Sequence, residues 1–328
     1  MIATELQEEP EQILQRRPSG VSVVVPSYNH ARFVEATLRS IMKQTLQPAE
    51  LLVIDDGSTD QSPAIIEKTL NDCPFPCDII ARSNRGLSAT LNEGFGQTSG
   101  TYFAYLGSDD LWLPEFLQAR VGLLESRAEA VLAYGHAYYI DDENHIIDST
   151  SDWAHYSDGD ARQMLLTTIS PMSPTVLYRR AALERHRWNE ESQLEDYDLY
   201  LRLSEDGEFA FDPRILSAWR RHESNVSWDQ SLMLDEQLKA QRTAALRFGF
   251  TEEQVETLQT STRFNRAEDF LRLGQKSEAW RLMKRNLRGA NSPRTTARML
   301  LRLLTPNSFM RGRARVRQRR MHERHGSL

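Results

Sequence analysis

The sequence predicts an α/β protein with a mixed, mostly parallel sheet, flanking helices and a helical C-terminal appendix. Three observations predict it. Short, continuous, β-branched apolar runs recur through the first third of the chain, as expected of strands covered on both faces. Each run ends in a polar loop and is followed by a helical periodicity. From about residue 228 the strand signals stop and only helical patterns continue.

Taken in order, residues 1–19 read as a polar N-terminal extension. The opening MIATELQEEP is acidic and lacks the apolar core of a signal peptide. Val21-Ser-Val-Val-Val25 is the first strand. It breaks at Pro26-Ser-Tyr28-Asn29, and Ala31, Val34, Leu38, Ile41 and Met42 follow at helical spacing. Leu51-Leu-Val-Ile54 is the second strand, ending in Asp55-Asp56-Gly57-Ser58-Thr59-Asp60. Gly57 allows a tight turn there, and Ser58, Thr59 or Asp60 is placed to cap the next helix. A third strand near 78–81 leads to Asn84-Arg85-Gly86-Leu-Ser88 and another helix. The fourth, 101–106, ends in Gly107-Ser108-Asp109-Asp110. Beyond it the pattern predicts a strand at 130–134, a hairpin around Asp141-Asp-Glu-Asn144, a strand at 175–178 and a helix from about Glu195. Helices are expected over 235–248, 252–259, 266–273 and 277–286, with breaks at Gly249 and Gly274. Residues 294–304 form an amphipathic helix. Arg294, Arg298 and Arg302 are four apart on one face, Met299, Leu300, Leu303 and Leu304 lie away from it, and Pro306 ends it.

Composition bounds the function. The chain has 328 residues, is 40% hydrophobic and carries a net charge of −6, so no global attraction to nucleic acid is expected. No apolar run is long enough to span a membrane. Cys73 and Cys77 lack a second pair of ligands and read as reduced, incidental thiols rather than a zinc site. Residues 294–324 contain ten arginines and a single acidic residue, Glu323. Two readings of this basic tail stand: a solvated extension, or peripheral contact with anionic lipid. Nucleic acid is disfavoured because aromatic residues are not interleaved with the arginines. The expected organisation is thus 1–19 extension, 20–228 α/β domain, 229–290 helical appendix and 291–328 basic tail, in a cytoplasmic protein or one peripheral to the inner face of the membrane.

The adjacent carboxylates Asp109 and Asp110 close a buried strand, where carboxylates cost solvation energy unless paired or bound to a cation. Ligands of parallel sheets sit just beyond the carboxyl ends of the strands, which points to a metal and nucleotide site. A bland alternative is that Asp110 caps the helix near Pro114. Similarly, Asp56 either accepts a hydrogen bond from a base or merely starts the Gly57 turn. A ring at Tyr28 can pack on a base or ribose, beside Pro26 and Asn29. Arg85 either meets the base or phosphates or is solvated. Glu195 and Asp196 sit at a helix start. There they complement the helix dipole or, by mutual repulsion in a closed site, raise one pKa to a value useful for proton transfer. His222 and the guanidinium groups of Arg220 and Arg221 suit diphosphate contacts. His30, His136, His145, His155 and His186 are given no role.

Together the segments VSVVVPSYNHARFVEATLRSIMKQT, ELLVIDDGSTD, NRGLSATLNEGF, GTYFAYLGSDDLWLP, LEDYDLYLRL and WRRHESNVS resemble family 2 glycosyltransferases of the GT-A fold, the type that builds bacterial cell-surface polysaccharides. The resemblance covers about residues 20–228. It implies an inverting transferase that takes a sugar, a hexose or N-acetylhexosamine, from a nucleotide-diphosphate donor, chiefly a UDP-sugar, with Mn2+ or Mg2+. The implied acceptor is a glycan or lipid-linked glycan. By resemblance, Asp56 accepts the uracil N–H, Asp109 faces the ribose and metal shell, Asp110 is the more direct metal ligand with His222 completing the site, and Asp196 is the general base beside Glu195. One departure stands out: Gly107 occupies the place where the family often has the first of its acidic residues. Gly107 motivates a rival reading, a sugar-nucleotide-binding scaffold without turnover. A nucleotidyltransferase on a related fold is a third, which release of pyrophosphate would identify.

Overall fold

The computed structural model describes residues 20–222, 230–290 and 292–328. The expected extension over 1–19, the Asn225-Val-Ser227 part of the last motif and the boundary at 228–229 lie outside the described residues. The first half alternates strand and helix: β1 (Val21–Ser27), α1 (Val34–Met42), β2 (Glu50–Asp55), α2 (Ser62–Leu70), β3 (Cys77–Ala81), α3 (Leu87–Gln97) and β4 (Tyr102–Tyr105). The second half is mixed: β5 (Leu111–Trp112), α4 (Phe116–Glu125), β6 (Ala130–Ile140), β7 (Ile146–Ser149), α5 (Arg162–Leu166), β8 (Leu177–Arg179), α6 (Arg180–Arg185), α7 (Glu195–Leu203) and β9 (Glu208–Arg220). All nine strands form one sheet in the order β3-β2-β1-β4-β8-β6-β9-β5, with β7 paired to β6. The β3-β2-β1-β4 portion is parallel, and β8 joins it antiparallel to β4.

The continuous apolar runs bury both faces, as their composition requires. Val21, Val23 and Val25 pack with Leu38 and Ile41 of α1 on one side. Val24, Phe103 and Tyr105 pack with Leu91 and Phe95 of α3 and with α7 on the other. The Arg180 guanidinium, almost wholly buried, bonds Phe95 O at 3.0 Å, Thr98 Oγ1 at 2.9 Å and Ser22 Oγ at 3.2 Å, tying α6 to the first strand.

Several elements differ from expectation. The strand expected at 130–134 runs on to Ile140 because β9 lies parallel along its whole length. Thr175 closes a 3-10 turn with Ser173 and Pro174, so its strand starts only at Leu177. The helices expected at 252–259 and 266–273 are one helix, α9 (Glu252–Arg272). No Gly or Pro interrupts that stretch, and a capping box of Thr251 and Gln254 starts it. With α8 (Gln230–Arg247), α10 (Lys276–Arg285) and α11 (Pro293–Leu304) it makes the helical C-terminal region. Phe264, Phe270, Leu271, Met283 and Met299 form its core. Cys73 and Cys77 are free thiols.

The basic tail is also structured. Its arginine run lies within α12 (Asn307–His325), whose far end docks on the nine-stranded sheet. Met321 packs with Leu111, Ile140, Ile146 and Ala218. Ile146 N donates to Gly326 O at 3.1 Å, Leu328 N donates to Asn144 O at 3.1 Å, and Arg317 pairs with Asp148 at 2.9 Å. Among the described residues no helix is long and apolar enough to cross a membrane.

Candidate active site

The site gathers at the carboxyl end of β4. Asp109 and Asp110 are both buried there. Asp110 does not cap a helix: β5 follows it directly, and its Oδ1 accepts the backbone N–H of Arg220 at 2.9 Å. The Arg220 side chain is 1% exposed and acts as a strut. Its Nε donates to Asp109 O at 2.7 Å, its Nη1 to Asp141 O at 2.5 Å and its Nη2 to Asn144 Oδ1 at 2.6 Å, with the guanidinium 4.6 Å from the Phe33 ring centroid. The expected diphosphate role at Arg220 therefore gives way to an internal one, since its donors are committed inside the protein. Arg221 faces outward beside Tyr139.

Gly107 shapes the space between the two carboxylates. A Cβ there would lie 3.0 Å from Asp109 Oδ1 and 3.2 Å from Asp110 Oδ2, so both oxygens converge on the room that a side chain would fill. Burial and the neighbouring Asp109 charge push the Asp110 carboxyl well above the usual carboxylate range. Burial also opposes ionisation of Asp109. Its hydrogen bond to His222 and the charges of His30 and His222 outweigh that burial and hold it below the usual value.

Two imidazoles complete this cluster. His222 Nε2 lies 2.8 Å from Asp109 Oδ2. His30 Nδ1 lies 2.8 Å from Ser108 Oγ and 3.7 Å from Asp109 Oδ1. His30, Asp109 and His222 each offer a ligand atom within 4.8 Å of the others, a spacing that suits one cation. Burial lowers the pKa of His30, which favours the neutral, ligating form. Sequence reading left His30 without a role. The available signal was its place directly after the Tyr28-Asn29 loop at the end of β1.

The loops that follow β1, β2 and β3 lock onto one another. Asn29, at a φ of 56°, accepts Thr59 N at 2.8 Å, while its own N–H donates to Ser58 Oγ at 2.8 Å. Asp55 holds the Ser58 turn through Ser58 N at 2.9 Å and Ser58 Oγ at 2.6 Å. Gly57 has a φ of +81°, and a Cβ there would meet Asn84 N at 2.8 Å, so only glycine lets the β2 and β3 loops approach this closely. Asp56 bridges them: it pairs with Arg82 and accepts Arg85 N at 2.9 Å and Gly86 N at 2.8 Å. Arg82 carried no sequence signal. Tyr28 is 48% exposed, Pro26 is half-buried, and the Arg85 side chain is exposed, 3.4 Å from Glu93.

Glu195 and Asp196 form the first turn of α7. Tyr105, the last residue of β4, donates to Asp196 Oδ2 at 2.5 Å, and Trp188 Nε1 donates to Asp196 Oδ1 at 3.4 Å. Burial pushes Asp196 up to about 6. Burial and the Asp196 charge push Glu195 up to about 8. β4 thus carries Asp109 and Asp110 beyond its end and holds Asp196 through its last side chain. Neither Tyr105 nor Trp188 was singled out from sequence.

The profile described as "Glycosyl transferase family 2" matches residues 22–187, just over half of the chain. The chain belongs to glycosyltransferase family 2. An uncharacterized glycosyltransferase of Nostoc sp. is 30% identical over 169 residues, 50% of this chain and 52% of that protein. Chondroitin synthase of Escherichia coli is 27% identical over 221 residues, 67% of this chain and 32% of that protein. The chain thus spans about half the length of the first of these relatives and about a third of the second. Among solved structures, residues 1–349 of Staphylococcus aureus TarS in complex with UDP-GlcNAc align with a TM-score of 0.60 at 17% identity, covering 94% of this chain and 93% of that one. The mannosyltransferase PcManGT of Pyrobaculum calidifontis, in complex with GDP-Man and Mn2+, aligns with a TM-score of 0.57 at 16% identity, covering 90% and 83%. At these identities the likeness is one of fold, and the fold of this family 2 member is the expected GT-A fold.

Proposed function

We propose that this chain is an inverting, metal-dependent glycosyltransferase. It moves a hexose or N-acetylhexosamine from a nucleotide-diphosphate donor, a UDP-sugar first among them, to a hydroxyl of a glycan or lipid-linked glycan. The observation that carries this reading is the junction at β4. A carboxylate suited to be a base hangs from the last residue of the strand whose end bears the Asp109, His222 and His30 cluster.

In this reading the acceptor oxygen attacks the anomeric carbon, and the bond from that carbon to the diphosphate oxygen breaks. The electron pair leaves with the nucleoside diphosphate, and the hydroxyl proton passes to Asp196. One displacement inverts the anomeric centre. Asp196 is ionised near neutral pH while Glu195 keeps its proton, so the pair offers one base rather than two repelling charges. Asp109, His222 and His30, with Asp110 Oδ2 facing the same space, would hold a divalent cation. When bound, that ion supplies neutralisation of the charge developing on the diphosphate. Two imidazoles beside a carboxylate suit Mn2+ better than Mg2+, and the Mn2+ named with the mannosyltransferase supports the same choice. Tyr28 offers a ring for the base, and Asp56 Oδ2, with one backbone donor on it, retains acceptor capacity for a uracil N–H.

A donor panel assayed for free nucleoside diphosphate, with and without EDTA, tests the reading. Asp196→Asn should leave donor affinity within a few-fold and cut transfer by about 10²–10⁴. Near wild-type transfer by that variant removes Asp196 as the base. Gly107 favours a second reading, donor binding without turnover; metal-dependent binding of UDP with no nucleotide release from any donor would establish it.

A further inference from the structure

α11 and α12 present apolar side chains to solvent, and on α12 these lie beside arginines without an ion-pair partner among the described residues. On α11, Leu300, Leu301 and Leu304 are 41%, 66% and 83% exposed, although Met299 and Leu303 of the same helix already face the helical core. Those three leucines are spaced one, three and four residues apart and so share one outward stripe. α12 repeats the pattern after Pro306. Phe309 and Val316 are 59% and 53% exposed, and Arg313 and Arg320 lie between and beyond them at i, i+4, i+7 and i+11 spacing. Among the described residues neither Arg313 nor Arg320 has an ion-pair partner. Met321, which anchors α12 to the sheet, points away from this stripe.

We propose that these two helices are an interfacial surface that seats the protein on an anionic lipid bilayer. Leucine and phenylalanine side chains would enter the headgroup boundary while the guanidinium groups meet lipid phosphates, a combination that neither water nor a purely acidic protein face satisfies. The charge contrast supports lipid: over 294–324 there are ten arginines against one glutamate, and although Arg298, Arg302, Arg317 and Arg319 pair with carboxylates, the segment stays strongly basic in a chain whose net charge is −6. Single-stranded nucleic acid is a poorer match because one phenylalanine is not a stacking platform. The inference is independent of the transfer reaction. If both hold, docking brings the site to the bilayer, because the far end of α12 packs on the hairpin whose Asp141 and Asn144 hold Arg220.

The test is co-sedimentation of the full chain with phosphatidylcholine vesicles with and without phosphatidylglycerol. The protein should pellet with the anionic vesicles only and be released near 1 M salt, where screening is effective within about 3 Å. The double variants Arg313→Glu with Arg320→Glu and Leu301→Glu with Leu304→Glu should each lower the bound fraction on the order of tenfold. Both change exposed positions and should melt with the wild type; if either does not, the corresponding alanine pair replaces it. No pelleting, equal pelleting with neutral vesicles, or unchanged pelleting of both variants overturns the proposal. So does a wild-type dimer in light scattering that Leu301→Glu with Leu304→Glu converts to monomer, which would make the stripe a contact between copies.

Discussion

Tyr105→Phe isolates the link between β4 and the proposed base. The substitution removes one hydroxyl and leaves the ring packed against Trp188, with centroids 5.9 Å apart. What is lost is the 2.5 Å hydrogen bond to Asp196 Oδ2. A hydrogen bond to an ionised acceptor is worth about 1.5–3 kcal/mol, and one pKa unit corresponds to about 1.4 kcal/mol, so the carboxylate should lose about one to two units of stabilisation. Asp196, pushed up to about 6 with Tyr105 in place, should rise further. If its ionised form is the base, the acid limb of kcat/KM should move up by the same one to two units. Transfer near pH 6 would fall about five- to fiftyfold, and the deficit would shrink as pH rises. The assay is release of nucleoside diphosphate across a pH series, with Trp188→Phe as a comparison that removes the 3.4 Å contact together with part of the indole packing on Phe103, Tyr105 and Tyr178, and should move the limb less. A uniform loss of rate with the acid limb unmoved would refute the argument that Tyr105 acts through Asp196.

Three further outcomes follow from the same geometry. Folded Glu195 and Asp196 bind protons more tightly than their ordinary values of 4.5 and 3.8 imply, so their contribution to stability is intact below about pH 4 and lost as pH rises through about 6 and 8. Thermal melts should therefore show Tm falling between those limits, and Glu195→Gln with Asp196→Asn should flatten the slope; an unchanged slope counts against the pair. Arg220→Ala strands Asp109 O, Asp141 O and Asn144 Oδ1 without their buried donor and should destabilise the fold by about 3–5 kcal/mol in urea unfolding. Arg220→Lys should recover less than half of that loss, because an ammonium cannot reproduce the planar fork; full recovery would reduce Arg220 to a generic positive charge. Gly107→Asp places a third carboxylate where Asp109 Oδ1 and Asp110 Oδ2 already converge. The metal-free variant should melt earlier than wild type yet gain more Tm on adding Mn2+; an equal gain would place the cation elsewhere.

What the sequence determined by itself was local. Short continuous apolar runs set β1, β2 and β4, because a strand buried on both faces has few polar positions to spend. The same logic put Asp56, Asp109 and Asp110 at strand ends and Glu195-Asp196 at a helix start, where side-chain placement depends only on the element that carries it. It could not tell which atoms meet. His222 reaches Asp109 across 113 residues and Tyr105 reaches Asp196 across 91. Those contacts exist because β8 and β9 take particular places in the sheet, and sheet order is a property of the packed whole. Tertiary structure likewise turned Arg220 from an expected phosphate contact into a strut, drew His30 into the cluster and folded the basic run into a docked helix. Local periodicity is blind to all three. A buried guanidinium, an imidazole near a carboxylate and a helix seated on a distant hairpin are each decided by what distant segments bring to them.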